Sequence, residues 1–283
     1  MSKRRDIEAH VRTLGEIEGI MSAMRNLALM ESLKLSRVLA TQHQVVDDIE
    51  AAGRDFLLFH PSLVPDYTGK DLYLVIGSER GFCGDFNERI LSSLADHLEV
   101  AGDRDPVLVI VGSKLLGRVE QVHRIAASVE GPTVSREVQA VLTRVIGHLQ
   151  AVATRQTWGG RTSVTAVYHD AVTASVVVRP LRPFQSSPRP TSGGAFPPLL
   201  TLPPTVFFPQ LVDVYLFSLL HEIFYSALMA ESRARLAHLE SAIQRLKRDQ
   251  AELLRRRNAL RQEETTEEIE MLMLSAFVTP RRR

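Results

Sequence analysis

Apolar residues recur every seven positions along the first sixty residues of the chain. Ile7, Leu14, Met21, Ala28, Leu35, Gln42, Ile49 and Phe56 form one row, and Ile17, Met24, Glu31, Val38, Val45, Ala52 and Phe59 form a second. Two interleaved rows sustained over so many heptads predict a coiled-coil seam rather than a single amphipathic surface helix. Gly15 and Gly19 each weaken helix propensity by about 1 kcal/mol relative to Ala, so packing against a partner has to supply the difference. Near the other end, Leu239, Leu246, Leu253 and Leu260 again fall seven apart, with Leu236 and Ile243 between them. That seam is narrow, and it runs beside a basic band made of Arg233, Arg235, Arg245, Lys247, Arg248, Arg255, Arg256, Arg257 and Arg261.

The helix breakers agree with this division. None of the 14 prolines falls in residues 1–60 or 210–279, and the glycines lie before residue 60 or between 69 and 194. Two uninterrupted helices of that length far exceed the usual roughly 11–12 residues. They predict an N-terminal coiled-coil helix over 1–60 and a C-terminal one over 210–279, closed as an antiparallel pair around whatever lies between. The same pattern is compatible with each end pairing with another chain or with a helical bundle.

The middle has a different period. Asp71–Ser78 and Val107–Gly112 are continuous apolar runs that read as buried strands. Residues 88–99 and 135–156 carry helical spacing, and Thr162–Tyr168 and Ser175–Arg179 read as further strands. Apolar strands separated by helices predict a sheet covered on both faces, so 61–184 is expected to be a central α/β domain of Rossmann-like form. Residues 185–209, dense in Pro and Gly, read as a connector to the last helix.

Charge and chemistry then narrow the function. Thirty-four basic against 33 acidic residues leave a net charge of +1, and the arginine-rich band lacks interleaved aromatics, so no nucleic-acid partner is expected. No run of about 20 apolar residues suggests a membrane span. The start Met1-Ser-Lys-Arg-Arg5 lacks the apolar core of a secretory signal, and the single cysteine, Cys83, suits a reducing compartment. The turn Gly77-Ser-Glu-Arg-Gly-Phe-Cys-Gly84 fits neither the dinucleotide nor the Walker pattern, so its glycines are read as tight-turn and close-packing residues. Cys83 reads as buried filler, and the histidines show no metal-ligand spacing. The pairs His169–Asp170 and His221–Glu222 are read as surface residues, since neighbours on a strand or helix point apart. No catalytic constellation, cofactor site or metal site is expected.

Three segments together carry a family resemblance. Arg5-Asp-Ile7 with Ile20-Met-Ser-Ala-Met24, the turn Gly77–Asn87, and above all Glu231-Ser-Arg-Ala-Arg-Leu236 with Asn258-Ala-Leu-Arg-Gln262, Thr266 and Glu268-Ile269 resemble the γ subunit of F-type ATP synthases. The resemblance implies a central rotor shaft that couples ion translocation to ATP synthesis or hydrolysis, with the ATP chemistry belonging to the β subunits and none to this chain. It implies the α and β subunits of the catalytic ring, the ε subunit and the membrane c-ring as partners, and a peripheral location on the cytoplasmic face of a bacterial plasma membrane. By residue, it implies rotor-to-stator coupling contacts at Met24, Arg235, Arg261, Gln262, Thr266 and Glu268.

Some positions depart from the family. Gly19 and Ser22 stand where lysines are common, and Gly84-Asp85 replaces a Gly pair. These departures point to a specialised paralogue, such as the sodium-translocating N-type branch. A coiled-coil scaffold or tether would share the heptads and the breaker distribution, but it would not require Asn258, Arg261, Gln262, Thr266 and Glu268 at those offsets.

Overall fold

The computed structural model describes residues 2–64, 67, 71–119, 125–155, 163–184 and 196–278. The connector predicted over 185–209 is therefore described only from residue 196. The basic tail Arg281–Arg283, and the outer residues of the elements predicted to end at 156 and to begin at Thr162, lie outside the described residues. In chain order the elements are α1 (Ser2–Phe59), β1 (Asp71–Ile76), α2 (Phe86–Ala101), β2 (Val107–Val111), α3 (Ser113–Val119), β3 (Ile125–Val129), α4 (Val138–Arg155), β4 (Ser163–Asp170), β5 (Ser175–Pro180) and α5 (Pro204–Val278). They divide into two compact units, a terminal unit of Met1–Leu27 with Leu236–Arg283 and a central unit of Ala28–Arg235.

Within the terminal unit, α1 and α5 form an antiparallel coiled coil. Arg4 pairs with Glu264 at 3.3 Å and Glu18 with Lys247 at 3.4 Å, so partners descend α5 as they ascend α1. Met21, Leu239 and Ile243 form the buried cluster, flanked by Met24, Ala242 and Leu246. Beyond it the seam on α5 includes Gln250, Arg257 and Glu264 between the leucines, so the packed surface is only partly apolar.

The central unit is built on one sheet in the order β3-β2-β1-β4-β5, with β5 antiparallel to β4 and the other pairs parallel. Side-chain alternation splits the core in two. Leu72, Leu74, Ile76, Val107, Val109 and Val111 face a core shared with α1, α4 and α5. Tyr73, Val75, Leu108 and Ile110 face α2 and α3. Both faces are covered, which is why β1 and β2 read as unbroken apolar runs. In this unit α1 and α5 are again antiparallel, since Gln42 Nε2 donates to the Ser218 carbonyl at 2.9 Å and the Tyr215 hydroxyl to Glu50 at 2.7 Å.

Four features differ from the sequence reading. The second row of the α1 seam lies one residue later than predicted. Ser32, Leu39, Val46 and Gly53 are buried, while Val45, Ala52 and Phe59 are exposed. One residue is 100° of helix, and the rotation lets the Phe184 ring sit against Gly53, where a Cβ would come within 2.2 Å of it. Second, α3 and β3 were not foreseen: α3 is short, and edge strand β3 interleaves Ala and Ser with its apolar residues. Third, α5 begins at Pro204 and keeps Pro209 inside it. Proline suits the first turn at Pro204, whose N–H group would have no intrahelical partner, whereas Pro209, past that turn, forgoes a bond to the Thr205 carbonyl. Fourth, α5 does contain a stretch long and apolar enough to cross a membrane by composition, with mean hydropathy 1.4. Over half of that stretch is buried inside the fold, where Leu219, Ile223, Phe224 and Leu228 join the core.

Candidate functional site

The residues singled out by sequence occupy two different settings. Arg261, Gln262, Thr266 and Glu268 are all exposed on α5 in the terminal unit. At 3.6 residues per turn they fall within roughly 160° of one another. Leu253, Leu260 and Glu264, half-buried, lie outside that arc. The Thr266 hydroxyl donates to the Gln262 carbonyl at 2.9 Å, which leaves its methyl and oxygen on the surface. Asn258 accepts from Arg257 Nη2 at 3.0 Å and so steadies one member of the basic band. Met24, on α1, is half-buried against the Met21–Leu239–Ile243 cluster. The terminal unit also exposes Ile17, Ile20 and Leu27 on α1 and Ile269, Met271, Leu272, Met273 and Leu274 on α5.

Arg235 belongs to the central unit and is turned inward, only 8% exposed. Its Nε donates to the Gly81 carbonyl at 3.2 Å, and its Nη2 pairs with Glu231, one helical turn earlier. Glu231 also accepts from the backbone N–H groups of Glu79, at 3.3 Å, and Arg80, at 3.2 Å. The turn after β1 is thus held against α5 by hydrogen bonds between its backbone and an ion pair buried within that helix. Burial pushes the Glu231 carboxyl upward, while Arg235 and the two backbone donors pull it back. Sequence reasoning singled out Arg235 but missed Glu231 as its partner, although their i, i+4 spacing is the signal for such a pair.

The turn itself is shaped by its small residues. A Cβ at Gly77 would lie 2.4 Å from Leu115 Cβ, so strand and helix approach too closely for a side chain there. Gly84 takes φ of 62°, and Phe82 adopts the same left-handed region at 64°. Asn87 locks the turn by accepting from Ser78 N at 3.0 Å and donating to Ser78 Oγ at 2.9 Å. Cys83 is buried with its thiol donating to the Arg80 and Gly81 carbonyls, and burial pushes its pKa up to about 11, so it is a poor nucleophile.

Two residues read as surface are in fact buried. His169 stacks on Phe86 and hydrogen-bonds the Phe86 carbonyl through Nε2 at 2.9 Å; burial holds its pKa below the usual value. Glu222 pairs with Arg179 at 3.1 Å and with His43 at 3.4 Å. Neighbours do point apart, but here one member of each pair points into the fold, toward partners from distant segments. A cavity of about 250 Å³ beside the end of β4 is lined by Arg89, Arg233, Asp85 and Asp170 among others, with both signs of charge balanced. Among the described residues no cluster of His, Cys, Asp and Glu could hold a metal ion.

A family model described as ATP synthase matches residues 3–273, nearly the whole chain. The chain belongs to the ATP synthase γ family. The ATP synthase γ chain of Clostridium beijerinckii is 24% identical over 93% of this chain and 94% of its own length. That of Mycolicibacterium smegmatis is 31% identical over 40% of this chain and 39% of its own. In fold the chain is similar to one from the Euglena gracilis mitochondrial ATP synthase, OSCP/F1/c-ring assembly, with a TM-score of 0.59 at 15% identity, covering all of this chain and 98% of the other. As a γ-family member, the chain is the central rotor-stalk subunit of an F-type ATP synthase, a membrane-associated complex.

Proposed function

We propose that the exposed face of α5 carrying Arg261, Gln262, Thr266 and Glu268, with Met24 on α1, is the surface through which this γ subunit couples to the catalytic ring of α and β subunits. One observation carries the reading: these four α5 side chains share one exposed face of a helix whose opposite side is used for the seam. Charge-assisted and neutral hydrogen bonds from such a face can form and break as the shaft turns. Arg235, being engaged internally, is left out of that surface. The chain performs no ATP chemistry of its own; the β subunits do. Its other partners are the ε subunit and the c-ring, at the cytoplasmic face of a bacterial plasma membrane. The departures at Gly19, Ser22 and Asp85 support placement in the N-type branch, for which sodium-dependent rather than proton-dependent ATPase activity is the expected readout.

The test is purification of the whole complex followed by kinetics. The chain should co-purify with α and β subunits, and Arg261→Ala or Gln262→Ala should lower coupled ATPase turnover more than assembly. Normal specific activity in the assembled fraction of both variants would refute the coupling surface.

A further inference from the structure

We infer that a relay, Arg235–Glu231–Glu79, buried at its α5 end and half-buried at Glu79, is the joint through which α5 grips the sheet during rotation, making Glu231 and Glu79 positioning residues for energy coupling; the inference rests on the central-stalk role of the chain. The parallel strands β1, β2 and β3 all end at one edge of the sheet, and Glu79 ties those ends together. Its carboxylate accepts from Ser113 N at 3.0 Å and Ser113 Oγ at 2.7 Å, just after β2, and from Gly131 N at 2.7 Å, just after β3. Glu79 itself lies just after β1, and its own backbone N–H donates to Glu231 on α5. Arg80 N donates to the second Glu231 oxygen, and Arg235 closes the loop onto Gly81. A single continuous set of bonds therefore runs from α5 to three neighbouring strand ends.

The physical case turns on direction. Apolar contacts are non-directional, so two interdigitated faces can re-seat in a shifted register and regain their burial, although the shift itself costs packing. Charge-assisted hydrogen bonds to backbone groups are directional, and three of them acting together, at 3.2–3.3 Å, resist the same displacement. Glu231 and Arg235 are 4% and 8% exposed, so water cannot stand in for a strained bond as it would on the surface. Elsewhere α5 reaches the sheet through Glu222, paired with Arg179 on the edge strand β5, and through Ser226, bonded to Asp170 at the end of β4. A loosened relay should let the shaft helix slip against the sheet: ATP hydrolysis continues while fewer ions move per ATP.

The experiment uses the whole complex in sealed vesicles. ATP hydrolysis is measured beside ion uptake, with a pH-sensitive dye for protons and a sodium indicator for sodium. Glu231→Gln should keep hydrolysis near wild type and lower ions moved per ATP by about threefold. Glu79→Gln, which keeps one acceptor oxygen, should shift the ratio in the same direction by less. Val145→Ala, a buried α4 residue outside the relay, serves as the stability control and should lower both activities together. The relay is refuted if both Gln variants assemble and pump at the wild-type ratio, or if Val145→Ala lowers that ratio equally. Should Glu231→Gln fail to assemble, Glu79→Gln decides alone. A wild-type chain that does not assemble with α and β subunits would instead overturn the stalk assignment, a separate outcome.

Discussion

In the central unit, residues 28–59 of α1 and 204–235 of α5 pack their apolar sides onto a sheet whose other face is closed by α2 and α3. In the terminal unit the same helices pack on each other, and the fully buried cluster shrinks to Met21, Leu239 and Ile243. The central unit encloses Phe56, Tyr215, Phe224 and the valines of β1 and β2 while leaving some apolar residues such as Met30 and Leu33 exposed, whereas the terminal unit encloses few and leaves Ile20, Leu27, Met271 and Leu272 facing out. The difference separates two uses of a hydrophobic residue. In the first it closes a core, and in the second it stands available to a surrounding partner, as large exposed apolar patches on folded proteins commonly do.

The largest test of this contrast compares two fully enclosed leucines. Leu142→Ala in the central core should cost about 2–5 kcal/mol and lower the cooperative melting transition. Leu239→Ala, equally enclosed but with few buried neighbours, should fall at the bottom of that range and show mainly as faster hydrogen exchange around residues 236–246. Equal costs would break the comparison.

Glycine substitutions should differ in sign between the units. Gly77→Ala forces a Cβ against Leu115 and the Asn87 side chain and should cost about 1–3 kcal/mol. Gly19→Ala, with open space at its Cβ in the middle of α1, should stabilise by about 1 kcal/mol. Thermal melts of both variants read the difference.

A pH effect should follow from His169. Its imidazole is held neutral by burial, whereas in the unfolded chain it takes up a proton near pH 6.5. The unfolded state thus binds more protons just below that pH, so stability is full above about pH 6.5 and declines as acid is added. Chemical denaturation at pH 7.5 and 5.5 should show the loss, and His169→Gln should flatten it. The smallest expected effect is at the surface. Lys247→Ala, which breaks the 3.4 Å pair with Glu18, should cost no more than about 0.5 kcal/mol and should vanish in added salt.

Much of the architecture was legible because it is written in period. The alternating cores of β1 and β2, the helices α2 and α4 and the two long helices all announce themselves by spacing. What the spacing hid were the places where a polar or small residue takes a core position. Ser32 and Gly53 on the buried row of α1 look like solvent or flexibility in the sequence, so the eye follows the more apolar row one residue earlier. Edge strand β3 needs only half its residues to be apolar and so carries a weak signal. Glu222, Glu231 and Arg235 are charged, and only the fold reveals that their partners arrive from Arg179, His43 and the turn after β1. Arg261, Gln262, Thr266 and Glu268 were legible as a motif, and the structure adds that they are exposed on one face of α5.

Sheets of parallel strands offer, at their carboxyl-terminal edge, the backbone N–H groups that elsewhere receive a phosphate. Here the donors of Ser113 and Gly131 are taken by the carboxylate of Glu79. The anion is part of the chain, present at a fixed ratio of one and never diluted away. An anion arriving from solution would find the N–H groups of Ser113 and Gly131 already engaged.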